Sequence, residues 1–130
     1  MNVASKFKAD DNYGPGSVVA FGGEKEVTGA SAQSTSICGV VTSQADLVLN
    51  NGLTGPNVIT VAVIGRVLCE VCGPVSKGDV LVIGPSGGPQ SANILFNDLT
   101  DPQAPGTIIG RAMEDCGTGW HTIDIFINVA

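Results

Sequence analysis

The residues with the greatest capacity for chemistry are four cysteines, at positions 38, 69, 72 and 116, and one histidine, His121. Cys69 and Cys72 form a C-x-x-C pair, a spacing that opens many zinc sites. A structural zinc site needs a second matched pair of ligands, and the other candidates are scattered. Strand residues three apart point to opposite faces, so the pattern favours small buried side chains over a metal or redox site. A disulfide stays open for a protein that leaves a reducing compartment.

His121 and Asp124 are the second pair of residues with catalytic side chains. A hydrolase would need an aligned His–Asp pair beside a nucleophile, whereas a strand through these positions would point the two side chains to opposite faces. The Lys77-Gly78-Asp79 segment has the wrong order for a phosphate-binding loop and reads as a turn. The sequence therefore predicts no catalytic residue, no cofactor and no metal ligand, and a protein that is not an enzyme.

Two arginines recur in similar surroundings, Arg66 in VIGRV and Arg111 in IIGRA. Each is expected to pair with a nearby carboxylate, such as Glu70 or Glu114, or to bridge two subunits. A surface ion pair contributes little to stability, whereas arginine is enriched in protein interfaces. Both arginines are therefore candidate interface residues.

Charge and composition limit the class of partner. The net charge is −6 with only six lysines and arginines, so the chain can supply little of the basic patch that nucleic acid requires. It contains no apolar run of membrane-spanning length, and its N-terminus lacks the apolar segment of a signal peptide. We expect a protein that is made in a cytoplasm and binds neither nucleic acid nor membrane.

The elements that position these residues are short strands. Aromatic residues make up only 5% of the chain, so Val, Ile and Leu must form the core, and 18 glycines and seven prolines interrupt it at short intervals. This composition is typical of strands joined by turns. Strands are predicted over residues 17–21, 24–28, 37–42, 58–63, 66–71, 80–83, 90–92, 107–113 and 122–129. Residues 43–56 are predicted as a short helical turn or an irregular excursion. The predicted fold is all-β, a single small β-barrel or β-roll with long Gly/Pro-rich loops.

Two segments are candidate contacts with other chains. Residues 1–12 are polar and are predicted to form an extended N-terminal arm before a single β-barrel domain over residues 13–130. Residues 93–105 form an apolar-containing loop that is either tucked under the barrel or exposed at an interface. The candidate contacts with another subunit or with an assembly partner in the two segments are Lys6, Phe7, Lys8, Ile94, Leu95, Phe96 and Leu99. Residues 58–64 are the candidate core of a homotrimer.

Five segments in a fixed order carry a family resemblance: GSVVAFGGEKEVT, ICGVVTS, VAVIGRVLCEVCGPVSKGDVLVI, GTIIGRAMED and TIDIFINV. Together they resemble a β-rich module found in virion proteins of tailed phages, especially cyanophages. The resemblance covers most of the chain from Tyr13 onward. The layout is also similar to that of small phage capsid decoration, or cement, proteins. We expect a free-standing module without the long upstream shaft of a fibre.

The resemblance implies a structural role and supplies no catalytic residue. The first expectation is a capsid decoration protein on the head surface of the virion. It would bind the major capsid protein, form a homotrimer and stabilise the head shell by bridging capsid subunits. The alternative is a tail-fibre or receptor-binding accessory module, which would expose aromatic side chains around a sugar-sized groove.

Overall fold

A computed structural model describes residues 2–31, 34, 36–84, 89–91 and 107–128. All regular structure in these ranges is β-strand, which confirms the predicted all-β fold. No helix in the described part of the chain could span a membrane. The strands are β1 Asn2–Lys8, β2 Val18–Phe21, β3 Val27–Gly29, β4 Ile37–Val41, β5 Leu47–Leu49, β6 Val58–Val75, β7 Val80–Ile83, β8 Pro89–Ser91, β9 Ile108–Ala112 and β10 Cys116–Asn128.

These strands form one sheet, in the order β3-β2-β4-β6-β10-β9-β7-β8. β1 attaches to the first half of β6, and β5 pairs with β1. Every pairing is antiparallel except that of β1 with β5. The sheet curls into a half-barrel, as expected for strongly twisted antiparallel strands.

The 18-residue strand β6 organises the molecule. Its first half pairs with β1 and β4, and its second half pairs with β10. The sequence predicted two separate strands here, 58–63 and 66–71. Instead the strand is continuous, and pairing with β10 extends to Val75. Gly65, between the two predicted strands, has a φ of 104°.

Two hydrophobic clusters form the core of the described part of the chain. The larger cluster contains the inward side chains of the second half of β6 and of β10, including Val71 and Ile125, both fully buried. The smaller cluster packs Ile59 and Val61 of β6 against Val19 and Val27. The smaller cluster lies where β1 and β4 flank β6.

The predicted N-terminal arm requires a correction. Residues Asn2–Lys8 are extended, but they are strand β1 of the same sheet, with Lys8 opposite Val58 and Ala4 opposite Ala62. Ala4 is fully buried. The amide of Ala9 also donates to the carbonyl of Asn57 (3.0 Å). The segment pairs because β6 offers it a complete row of backbone donors and acceptors.

The pairing of β1 also bears on two other predictions, those for residues 43–56 and for residues 58–64. The predicted helical or irregular excursion contains strand β5, which runs parallel to β1 with Val48 opposite Ala4. Residues 58–64, the predicted trimer core, lie inside the sheet between β1 and β4, where Ile59, Val61 and Ala62 are buried within this chain. Those three side chains are therefore not available at a subunit contact.

Candidate interaction face

The outward face of the paired strands β6 and β10 carries a row of exposed or half-exposed polar, charged and aromatic side chains. The register places Trp120 opposite Cys72, Thr122 opposite Glu70, Asp124 opposite Leu68 and Phe126 opposite Arg66. Alternate residues of a strand share a face, so these eight side chains form two adjacent rows. We call this surface the ladder face.

An ion pair crosses the ladder face near the end that contains Phe126 and Arg66. The Nε of Arg66 donates to Oδ2 of Asp124 (3.0 Å), and Nη2 donates to the same oxygen. The carboxylate of Glu114 also contacts Asp124, because its Oε1 accepts a hydrogen bond from the backbone amide of Asp124 (3.0 Å). The expectation that Arg66 pairs with Glu70 or Glu114 is therefore wrong. Its partner lies diagonally across the ladder, where cross-strand side chains meet.

Arg111 extends the same row on the neighbouring strand. Phe126 faces Arg66 on one side and Arg111 on the other, so the two Gly-Arg segments lie on either side of one aromatic residue. Arg111 uses Nη1 to donate to the carbonyl of Gly78 (2.9 Å). The structure thus brings the two predicted arginines close to each other, but neither binds the carboxylate that the sequence suggested.

A polar groove of about 760 Å³ runs beside this ion pair. Its floor is the middle of the ladder face, and its wall is formed by the residues that precede β2 and follow β4. The residues that line it are Asn2, Pro15, Gly16, Val41, Thr42, Ser43, Gln44, Arg66, Val67, Leu68, Glu114, Thr122 and Asp124. Its hydroxyl, amide and carboxylate groups can form hydrogen bonds with a ligand, and Val41, Val67 and Leu68 add apolar surface beside them.

The groove continues toward Trp120. A second concavity of about 240 Å³ is lined by Glu70, Trp120, His121 and Thr122, and Thr122 lines both. The register between β6 and β10 shifts just before Trp120, and Gly119 has a φ of 94°. Trp120 follows this irregularity in the regular part of the ladder, on the same outward face as Thr122, and it is 58% exposed.

The candidate contacts in β1 lie apart from the ladder face. Lys6 is half-buried opposite Thr60, and Lys8 is exposed opposite Val58. Phe7 packs on the smaller cluster and edge-on against Phe21, with ring centroids 5.7 Å apart. The other four predicted contacts, Ile94, Leu95, Phe96 and Leu99, lie outside the described residues.

The cysteines separate by face as the strand geometry predicted. Cys69 is buried and Cys72 is half-exposed, and burial raises the pKa of both Cys38 and Cys69 to about 12. Thiols with such values are protonated and unreactive. Among the described residues, no three metal-binding side chains come together.

The remaining catalytic candidates also have structural explanations. His121 places Nε2 3.1 Å from the carbonyl of Thr118, whereas Asp124 binds Arg66 on the ladder face. The letters G-x-S-x-G occur at residues 84–88, of which 85–88 lie outside the described residues. A nucleophile elbow leads from a strand into a helix, whereas the next described element in the chain is strand β8.

Comparison with known proteins identifies the fold. No family model matches the chain, and no curated protein matches it. Among solved structures, it is similar to the N base of the head fibre protein gp8.5 of bacteriophage phi29, with a TM-score of 0.51 and 15% identity. The match covers 100% of this chain and 97% of that one. The chain has the fold of a phage head-fibre base. The predicted resemblance to β-rich modules of phage virion proteins is confirmed at the level of the fold.

Proposed function

We propose that this chain is a structural protein of a bacteriophage virion, and more specifically a decoration protein that stabilises the head shell. The observation that carries the proposal is the full-length likeness of its fold to the base of a phage head fibre. A base that attaches a fibre to a head and a protein that decorates a head share one requirement, a rigid module that seats on the shell. A sheet with two buried clusters meets that requirement.

Seating on the shell would use several weak contacts at once. The proposed contacts with the major capsid protein include the exposed cationic side chains of Lys8, Arg66 and Arg111, which reach the surface in two separate regions. Contacts that bridge neighbouring capsid subunits raise the total avidity without requiring any single tight interface. The proposed role is mechanical, and it assigns no catalytic step.

The proposal includes a homotrimer, whose contact we place at β5. Leu47 is 54% and Leu49 is 51% exposed, and the described residues pair β5 with β1 alone. Exposed apolar side chains on an edge strand favour burial against another chain. The mass of the purified protein in solution tests this part: a trimer supports it, and a monomer at all concentrations contradicts it.

A tail-fibre or receptor-binding accessory module is the second candidate. The observation in its favour is Trp120, an exposed aromatic side chain beside a polar groove. The two candidates differ in where the protein sits on the virion.

Imaging of tagged protein on virions separates them. Dense labelling over the whole head, with many copies per particle, supports a decoration protein. Virions that lack the protein should then lose their genome at a lower temperature than intact virions. Label at the tail, or a few copies with unchanged head stability, contradicts decoration and favours the alternative.

A further inference from the structure

Trp120 has an exposure that the packing of the fold does not explain. It is the only tryptophan in the chain, and 58% of its surface is accessible. Tryptophan is more often buried by its own chain or by a ligand, because its large apolar ring gains most from leaving water. It pairs with Cys72 in the regular part of the ladder, on the same outward face of β10 as Thr122 and Asp124. The side chain is therefore held in position for contact with something outside the chain.

The groups around Trp120 can form hydrogen bonds that this chain leaves unmade. Within the described residues, the carboxylate of Glu70, the hydroxyl of Thr122 and the indole N–H of Trp120 have no hydrogen-bond partner. Glu70 is fixed at its base, since its amide donates to the carbonyl of Gly16 (3.1 Å) and its side chain packs on that glycine. The Trp120 indole ring thus lies beside the carboxylate of Glu70, whose backbone is hydrogen-bonded in place, and the hydroxyl of Thr122.

The adjoining groove extends this arrangement over several residues of β10. Trp120 and Asp124 are four residues apart in one strand, a separation of roughly 13 Å. Between them lies Thr122, which lines both concavities. Ser43 and Gln44 on the opposite wall present further side chains without partners in the described part of the chain. The site is therefore long enough for several linked units of one ligand.

The charge of the site limits the ligand. Glu70, Glu114 and Asp124 contribute three carboxylates, and Arg66 contributes the one cation along the lining, already engaged with Asp124. Like charges repel, so phosphate, sulfate and carboxylate groups are disfavoured. A ligand that matches the site has an apolar face for the indole and many neutral hydroxyl groups for the carboxylates and hydroxyls.

We propose that the surface from Trp120 to Thr42 binds a neutral saccharide. The flat C–H face of a sugar ring stacks on the Trp120 indole, and its hydroxyl groups donate to Glu70 and exchange hydrogen bonds with Thr122. Further rings lie along the groove toward Gln44. The inference does not depend on where the protein sits on the virion, because it concerns the purified chain and its ligand.

The lone tryptophan makes the test direct, because all tryptophan emission reports on this site. The full chain is titrated with glucose, galactose, N-acetylglucosamine and the β-1,4-linked trimer of N-acetylglucosamine, with N-acetylneuraminic acid as the anionic comparison. We expect a saturable emission change with at least one neutral sugar, at about millimolar concentration for a single ring. The trimer should bind more tightly than its monomer, and the anionic sugar should not bind.

Matched variants separate a specific site from a general effect. Glu70→Ala should weaken binding about tenfold, since it removes one charged hydrogen bond, whereas the exposed Glu24→Ala serves as its control and should bind normally. By calorimetry, Trp120→Ala should abolish binding and Trp120→Phe should retain part of it, with Ile108→Ala, at an exposed apolar residue outside both proposed surfaces, as the control.

Three outcomes would overturn the inference. The first is no saturable change with any neutral sugar, and the second is equal binding by the Glu70→Ala protein. The third is that the parent chain binds no sugar while the Trp120→Ala protein no longer attaches to virions. Trp120 would then be a contact with another protein. Each outcome leaves the imaging test of the virion role unaffected.

Discussion

The two halves of β6 belong to one strand yet have different surroundings. Residues 58–64 lie between β1 and β4, and their side chains enter both hydrophobic clusters, with Ile59 in the smaller and Ala62 in the larger. Residues 66–75 pair with β10 and bury one face only, while Leu68 on the other face is 60% exposed. The first half is scaffold, and the second half also presents a surface that can vary without loss of the fold.

Gly65 separates the two halves. Before it, an even-numbered residue, Ala62, faces the larger cluster, and after it the odd-numbered Val67 and Cys69 do. One extra residue in a strand exchanges its two faces, and the register with β1 shifts at Val63, because Val3 pairs with Ile64 and Ala4 with Ala62. Gly65 follows this bulge with a φ of 104°, in a region of conformational space that side-chain-bearing residues avoid.

Removal of residues 1–8 should have the largest effect. It strips β1 from the first half of β6 and from β5, and exposes the buried surface around Ala4 and Ala62. We expect a loss of more than about 5 kcal/mol, enough to unfold a marginally stable domain. Urea denaturation followed by circular dichroism measures it. A truncated chain with unchanged stability would restore the detachable arm that the sequence suggested and would erase the difference between the halves.

Replacement of one large side chain by alanine in each half of β6 should show the same difference between the halves. Ile59→Ala removes a side chain that is 5% exposed in the first half, and should cost about 2–5 kcal/mol of unfolding free energy. Leu68→Ala, its counterpart on the ladder face, should change stability by no more than about 0.5 kcal/mol. Both values come from denaturant midpoints. Equal losses for the two variants would mean that Leu68 is covered in solution, as in a stable oligomer.

The variant Gly65→Ala tests whether the boundary between the two halves of β6 requires a glycine. A Cβ at a φ of 104° is strained, and the cost should be about 1–2 kcal/mol. Gly117→Ala is the control, because no heavy atom lies within 4 Å of the added carbon. If Gly65→Ala were as stable as the parent chain, the face exchange would not depend on glycine.

Local patterns were enough to predict much of the fold. The alternation in TIDIFINV predicted that Ile123, Ile125 and Ile127 share a buried face, and all three are buried. β7 has the predicted bounds of 80–83. β1 escaped prediction because its seven residues carry no clear alternation, and its partners lie about 50 residues away, at 47–49 and 58–65. Its strand character comes from a neighbour that only the folded chain supplies.

The side-chain contacts of the ladder face were also beyond what local sequence patterns could predict. The sequence suggested that Arg66 pairs with Glu70, four positions along, but in a strand that separation is roughly 13 Å, beyond the reach of the pair. The partner, Asp124, is 58 positions away and becomes adjacent through the register of β10. Trp120 was missed because the strand was predicted to begin at residue 122, whereas β10 begins at Cys116 and extends the alternation back through Trp120. Register and bulges are properties of pairs of strands, which one strand cannot disclose.

The ion pair across the ladder face should give the smallest effect on stability. The Arg66 side chain is 52% exposed, so solvent screens its attraction to Asp124, and a double-mutant cycle with Arg66→Ala and Asp124→Ala should yield a coupling of about 0.2–1 kcal/mol. The coupling should shrink further in 1 M salt, where the screening length falls to about 3 Å. A coupling above about 2 kcal/mol that persists in salt would mean that the pair is desolvated and holds the β6–β10 register. The second half of β6 would then depend on its outer face for stability, and the surface that we assign to binding could not vary freely.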